Sequence, residues 1–286
     1  MRALVIFAGF KRSFMLKALW VSIFLSFTPF LLRGQYAEIG LFGGGSNFLG
    51  DVGHYGLHLP QGYGTGAFFR YNFDRRWSVR VGGNYGEIRA SDAASTLGYR
   101  QERNLAFRSE IWEAHLFFEF NYFEYEPGTK YWHTPYVLGG IGVFWFDPEA
   151  RLNGNWYRLQ PLGTEGQGSS LSTAAPYALA DNFFAFGLGY KFALGRMVSL
   201  GIESTFRSTG TDYLDDVSGR YVPNDLLAEE KGALTAQLAD RSLSQLPKTN
   251  QYRGNPDNRD WYIFTGITIQ VKFEEFYEKC ANFVAP

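Results

Sequence analysis

In Asp260-Trp-Tyr-Ile-Phe-Thr-Gly-Ile-Thr-Ile-Gln-Val-Lys-Phe273, the residues Trp261, Ile263, Thr265, Ile267, Ile269, Val271 and Phe273 alternate with Tyr262, Phe264, Gly266, Thr268, Gln270 and Lys272. A period of two is that of a β-strand with one apolar and one mixed face. Such a strand cannot stand alone, because its backbone edges and its apolar face both need partners.

Seven further segments supply them. Segment 36–44 sets Ala37, Ile39 and Leu41 against Glu38, Gly40 and Phe42, and 63–73 sets Ala67, Phe69, Tyr71 and Phe73 against Phe68, Arg70 and Asn72. In 77–86, Trp77, Val79, Val81 and Tyr85 oppose Ser78, Arg80 and Asn84; in 112–122, Trp112, Leu116, Phe118 and Phe120 oppose Glu113, His115, Phe117 and Glu119. Segment 135–146 is glycine-rich, which suggests curvature or close packing. Segments 184–192 and 198–207 complete the set, with Lys191 on the mixed face of one and Glu203 and Arg207 on that of the other.

No window after Gln35 approaches the roughly 18 apolar residues of a membrane helix, so a membrane-spanning chain of this sequence is a barrel. The composition agrees: 18% aromatic, 33 glycines and only 19% charged residues. A net charge of -1 leaves no basic footprint for nucleic acid. The connections run long, short, long, short, long, short, long, with Asp74-Arg-Arg76, Glu126-Pro-Gly-Thr129 and Gly195-Arg196 at the short ones. The predicted fold is therefore all-β: an eight-stranded antiparallel transmembrane β-barrel, an up-and-down meander with four long extracellular loops and three short periplasmic turns. Lys11, Arg12 and Lys17 before an apolar run to Leu32 and a small Gly34 read as a signal peptide over 1–34. The barrel then spans 35–273, a periplasmic tail spans 274–286, and the chain is expected in the cell outer membrane, among its lipids.

The alternation also assigns faces, since a Lys or Arg in contact with lipid at the midplane costs about 2–4 kcal/mol. The mixed face, carrying Glu38, Arg70, Arg80, Glu113, Glu119, Lys191, Glu203, Arg207 and Lys272, is predicted to line the lumen. Near-balanced signs predict mutual pairing, and Phe68, Phe117 and Phe264 predict a filled interior. His115 between Glu113 and Glu119 reads as part of that network, because no second histidine or cysteine shares its strand face. His54 and His58 have a metal spacing only on a helix, which Gly53, Gly56 and Pro60 oppose. Asp212, Asp215 and Asp216 lack the spacing of an EF-hand and are expected to form turns or cap a helix. No nucleophile, phosphate-binding or zinc motif is present, and no enzyme activity or cofactor is expected. In 226–246, Leu227, Leu234, Leu238 and Leu246 predict a short helix over the barrel mouth, interrupted at Gly232.

Several stretches taken together resemble the PorG-like outer-membrane barrel family of Bacteroidota. They are Ala37-Glu-Ile-Gly40, Ser46-Asn47, Leu49-Gly-Asp51, Phe69-Arg-Tyr-Asn72, Arg103-Asn-Leu-Ala-Phe-Arg-Ser109, Tyr125-Glu-Pro-Gly128 and Thr134-Pro-Tyr136 in the first half. Trp156-Tyr157, Leu159-Gln-Pro-Leu-Gly-Thr-Glu-Gly-Gln-Gly168, Thr211-Asp-Tyr-Leu-Asp-Asp-Val-Ser218, Arg253-Gly-Asn255, Asp260-Trp-Tyr262 and Lys279-Cys280 follow. Pro161, Gly163, Glu165 and Gly166, with Asp212, Asp215 and Asp216, lie in the two most specific runs. The ending Cys280-Ala-Asn-Phe departs from the Cys-Pro that such proteins commonly carry. The resemblance implies a component of type IX secretion, with gliding in some relatives, bound to a periplasmic ring of a lipoprotein and its partner subunit. Cys280, the one cysteine, is expected to pair with a cysteine of a periplasmic partner. Rival readings are a small porin or transporter, an outer-membrane hydrolase, and a soluble secreted barrel.

Overall fold

The structure, a computed structural model, describes residues 36–54, 56, 59–244 and 246–273. The expected signal peptide 1–34, the tail 274–286 with Cys280, and His58 lie outside the described residues. Among the described residues nine strands form: β1 Tyr36–Leu49, β2 Gly62–Asn72, β3 Trp77–Ser91, β4 Ala106–Asn121, β5 His133–Leu152, β6 Asn155–Arg158, β7 Ala180–Ala193, β8 Val198–Thr209 and β9 Trp261–Phe273. Eight of them close a wall by antiparallel pairing of each with the next, β5 meeting β7 directly. β9 completes the ring, pairing with β8 and, from Ala37↔Phe273 to Leu49↔Trp261, with β1. No wall edge is left open, which a bilayer requires because lipid offers no hydrogen bonds. Among the described residues no helix is long and apolar enough to cross a membrane.

The strands run further than their alternation alone indicates, because several climb past the wall into the long-loop end. The largest difference concerns the long connection between segments 135–146 and 184–192, expected to be a loop. β5 instead continues to Leu152, and the chain folds straight back as β6. The hinge is Asn153-Gly154, at φ 50° and 88°. Two consecutive left-handed residues make the tight hairpin turn that Asn-Gly favours. The remaining long loops carry α1 Gly98–Arg103, α2 Asn224–Lys231 and α3 Ala233–Ala239, with Gly232 at φ 96° separating the last two. Leu238 packs with Ala150 and Leu159, so α3 leans on the β5–β6 hairpin at the long-loop end.

The outer surface has the layering of a membrane wall. Ile39, Leu41, Phe69, Val81, Phe118, Val137, Ile141, Phe184, Leu188, Ile202, Ile267 and Ile269 are all exposed, and none of the charged residues shares their band. Aromatic rows bound it. At the long-loop side Tyr85 lies opposite Trp112 and Trp112 opposite Trp145; at the short-turn side Trp77 lies opposite Phe120. Trp77 and Tyr85 are eight residues apart on β3, or about 21 Å along the normal at a rise of about 3.4 Å and a tilt of about 40°. That approaches the roughly 25 Å apolar band of an outer-membrane barrel.

Candidate functional site

The lumen is filled by charge. Arg70, from β2, contacts Glu38 (Nη1 to Oε2, 3.1 Å) and Glu119 (Nε to Oε2, 2.9 Å). Lys191 Nζ lies 3.4 Å from the same Glu119 carboxylate. Arg80 joins this group through Glu119 (3.4 Å) and grips Glu203 with both terminal nitrogens, at 2.8 and 2.9 Å. Tyr136 donates a further 2.7 Å bond to Glu203. Nearer the long loops, Arg207 holds Glu113 through Nε and Nη2, each at 2.9 Å, while Tyr262 and Asn84 donate to Glu113 at 2.6 Å. His115 completes this second cluster, with Nδ1 3.3 Å from Glu113 and its ring stacked on Phe117 at 4.1 Å.

All of these side chains are buried. Arg70, Arg80, Lys191 and Arg207 oppose Glu38, Glu113, Glu119 and Glu203, four against four. Lys272 is set apart from them: it lies over the Tyr36 ring at 4.6 Å and is only half-buried, so its charge does not enter the balance. Rings separate the layers, with Phe68 4.3 Å from the Arg80 guanidinium carbon and Phe264 4.6 Å from that of Arg207. The glycines of the inward faces make room for them: a Cβ at Gly40 would collide with Phe68. Below, the β4–β5 turn folds inward, where Tyr125 is buried and bonds Ser199 at 2.6 Å.

Above, the long loops form a cap. Val52, Leu214 and Val217 descend onto Phe48, Phe107, Phe144 and Tyr262 at the top of the lumen. Two buried arginines tie the loops together. Arg103 of α1 pairs with Asp92 (2.7 Å) and donates to the carbonyls of Asp51 (2.6 Å) and Arg253 (2.5 Å). Arg253 in turn contacts Glu165 (3.2 Å) and donates to the carbonyls of Asp216 (2.5 Å) and Ala239 (3.2 Å). Glu165 also accepts from the backbone N–H groups of Ser218 and Gly219, both at 3.0 Å. Its loop can present that carboxylate because Gly163, Gly166 and Gly168 adopt φ of 66°, 78° and 69°, a conformation that disfavours other residues. Pro161, in the same run, is exposed.

The three aspartates of the other run act as connectors. Asp215 accepts from the N–H groups of Val52 and Val217, and Asp216 from Thr164 and Tyr177, so their partners are other loops rather than a helix N-terminus. The expected turn does form, with Asp216 at φ 65°. Asp51 raises the affinity of Asp212, Asp215 and Asp260 for protons. Burial, reinforced by Asp51 and Glu165, pushes Asp212 up to about 7, and burial pushes Asp216 up to about 6. Burial raises Asp215 well above the usual carboxylate range, helped by Asp51 and Asp212, and raises Asp260 likewise, helped by Asp215 and Asp212. Among the described residues no such group has the geometry to hold a metal ion.

A carboxyl group whose folded pKa is raised binds more protons in the folded state, so its contribution is complete below its ordinary value and is lost as pH rises through the raised one. The cap is thus expected to loosen as pH climbs from about 4 to about 7. Hydrogen exchange of 211–218 and 49–53, corrected for the intrinsic rate, should accelerate over that range, and Asp212→Asn should flatten the change.

Sequence reasoning did not single out Arg103, Arg253, Asp51, Asp92 or Asp260. Except for Asp92, each lies within a stretch that carries the family resemblance, and that clustering of charge in separate loop motifs was the available signal. Residues 17–237 match the family described as "Domain of unknown function (DUF6089)". The chain is a member of DUF6089. No curated protein matches it.

Among solved structures, this DUF6089 chain is similar to Neisserial surface protein A (NspA), at 9% identity over 84% of this chain and 98% of that one, with a TM-score of 0.39. It is also similar to the N-terminal β-barrel domain of Pseudomonas aeruginosa OprF, at 11% identity, 83% and 97% coverage and a TM-score of 0.33. The Yersinia pestis attachment invasion locus protein Ail matches at 12% identity, 84% and 97% coverage and a TM-score of 0.37. What places the DUF6089 barrel in a bilayer is its own surface, an uncharged apolar band between aromatic rows around a closed, charged interior. It is an outer-membrane β-barrel.

Proposed function

We propose that this barrel is a non-enzymatic anchor of the type IX secretion machinery, and of gliding where a cell glides, rather than a pore. It would hold the periplasmic ring of a lipoprotein and its partner subunit from the short-turn side. The observation that carries anchor over channel is the lumen, where four cations and four carboxylates neutralise one another between Phe68, Phe117 and Phe264. A porin needs a water path and an unbalanced lining, and eight strands leave room for little beyond their own side chains.

The secretion role is supported by the sequence runs that resemble PorG-like barrels. Two of them, at 159–168 and 211–218, supply the contacts that lock the cap. The periplasmic contact is assigned to the short turns and to the segment after Phe273, where Cys280 would pair with a partner's cysteine. The test has two arms. In planar bilayers the purified barrel should give no porin-sized steps, and deletion of its gene should block export of type IX cargo; steady conductance defeats the anchor, and unchanged export defeats the secretion role.

A further inference from the structure

Above the aromatic row, one sector of the outer wall carries charge. Register aligns Arg89 of β3 with Arg108 of β4, Arg108 with Glu149 of β5, and Glu149 with Arg158 of β6. The row lies four residues beyond Tyr85 on β3, about 10 Å further along the membrane normal. That is the depth of the outer-leaflet headgroups, since interfacial aromatic rings mark the edge of the hydrocarbon.

Carboxylates stand behind the guanidinium groups. The Arg89 side chain is 51% exposed and its partner Glu87 only 6%; Arg158 is 55% exposed and its partner Asp147 33%. In both pairs the carboxylate engages Nε, and each guanidinium has further donors in its fork. Arg108 binds Glu149 at 2.8 Å and lies 3.8 Å from the Trp156 ring, which fixes it at the centre of the row. One row nearer the bilayer, Glu110 is exposed and lies opposite both Glu87 and Asp147, so with Glu149 four carboxylates accompany the three arginines.

We infer that this sector of β3–β6 binds the phosphate-bearing headgroup of an outer-leaflet glycolipid. The guanidinium fork matches phosphate in charge and geometry. The lipid's acyl chains would pass the row of Glu87, Glu110 and Asp147 and then lie along the apolar band past Trp112 and Trp145, both exposed there. Glu87, Asp147 and Glu149 hold the arginines extended as a fixed row. This inference depends on the barrel being in the outer membrane and not on its role in secretion.

The test is native mass spectrometry of the folded full-length barrel in detergent, with monophosphoryl lipid A, its dephosphorylated form and inorganic phosphate as separate probes. The wild type should retain the phosphorylated lipid. The variant R89Q/R158Q, which alters two exposed side chains, should bind it about thirtyfold more weakly. Heat-modified gel mobility confirms that the variant is folded, and R89K/R158K should restore part of the binding. Equal retention of phosphorylated and dephosphorylated lipid, or of either by both proteins, would overturn the proposal. Binding of inorganic phosphate with the same arginine dependence, but not of the lipid, would overturn it too.

Discussion

Arg80→Ala is expected to lower the unfolding free energy of the barrel by about 3–5 kcal/mol. Arg80 is buried with both terminal nitrogens on Glu203, a third contact to Glu119, and the rings of Phe68 and Phe117 near its guanidinium. Truncation leaves Glu203 with the Tyr136 hydroxyl alone, and turns a balanced lumen into one with a net negative charge. A buried charge without its partner is far more costly than the pair is valuable, since desolvation remains when attraction is gone. The double replacement Arg80→Leu with Glu203→Leu should therefore recover most of the loss, because it removes both charges and keeps the volume. Urea unfolding in lipid vesicles, followed by tryptophan fluorescence, measures both. A cost below about 1 kcal/mol for Arg80→Ala, a value typical of solvated pairs, would mean that water reaches the lumen, and the channel reading would regain its footing.

The second large effect is expected in the cap. Glu165→Ala removes the acceptor for the Ser218 and Gly219 N–H groups and strips Arg253 of its nearest carboxylate. Hydrogen bonds to a charged group contribute about 1.5–3 kcal/mol, and a broken buried pair costs about 3–5 kcal/mol. The loss is local, because the wall strands are held by their own ladders. Protease cleavage within 211–259 should rise about a hundredfold, corresponding to roughly 3 kcal/mol of local opening, while the heat-modified gel shift of the barrel stays unchanged. Glu165→Gln should give an intermediate result, since the amide keeps one acceptor and loses the charge. If cleavage does not change, the link from 159–168 to 211–218 does not hold the cap. If the gel shift disappears as well, cap and wall unfold together.

The barrel was legible in the sequence because strand periodicity is a local property. Tyr262 to Lys272 had to point one way and Ile263 to Val271 the other, and the same two-residue rhythm in seven other segments left the lumen with the charges and lipid with the apolar side chains. Even the pairing of signs could be anticipated, as an isolated charge inside a narrow barrel is too costly to keep. Register could not. Glu203 finds Arg80 from the far side of the lumen, and Glu113 finds Arg207 likewise; the strands that carry them are not neighbours in the wall.

The cap lay further out of reach. Asp212, Asp215 and Asp216 were readable as turn formers, but their partners Val52, Thr164 and Tyr177 lie in other loops, and no periodicity links residues that far apart. The Asn153-Gly154 hairpin is a local signal, lying within a long stretch of otherwise irregular sequence. Local alternation thus sets the wall: how many strands it has, which face meets lipid, and which charges are inside. Which charge meets which, the binding of the loops into one cap by Arg103 and Arg253, and the row of Arg89, Arg108 and Arg158 arise only in the folded ring. Those depend on strand stagger and loop closure, which are set by the whole ring when β9 closes on β1.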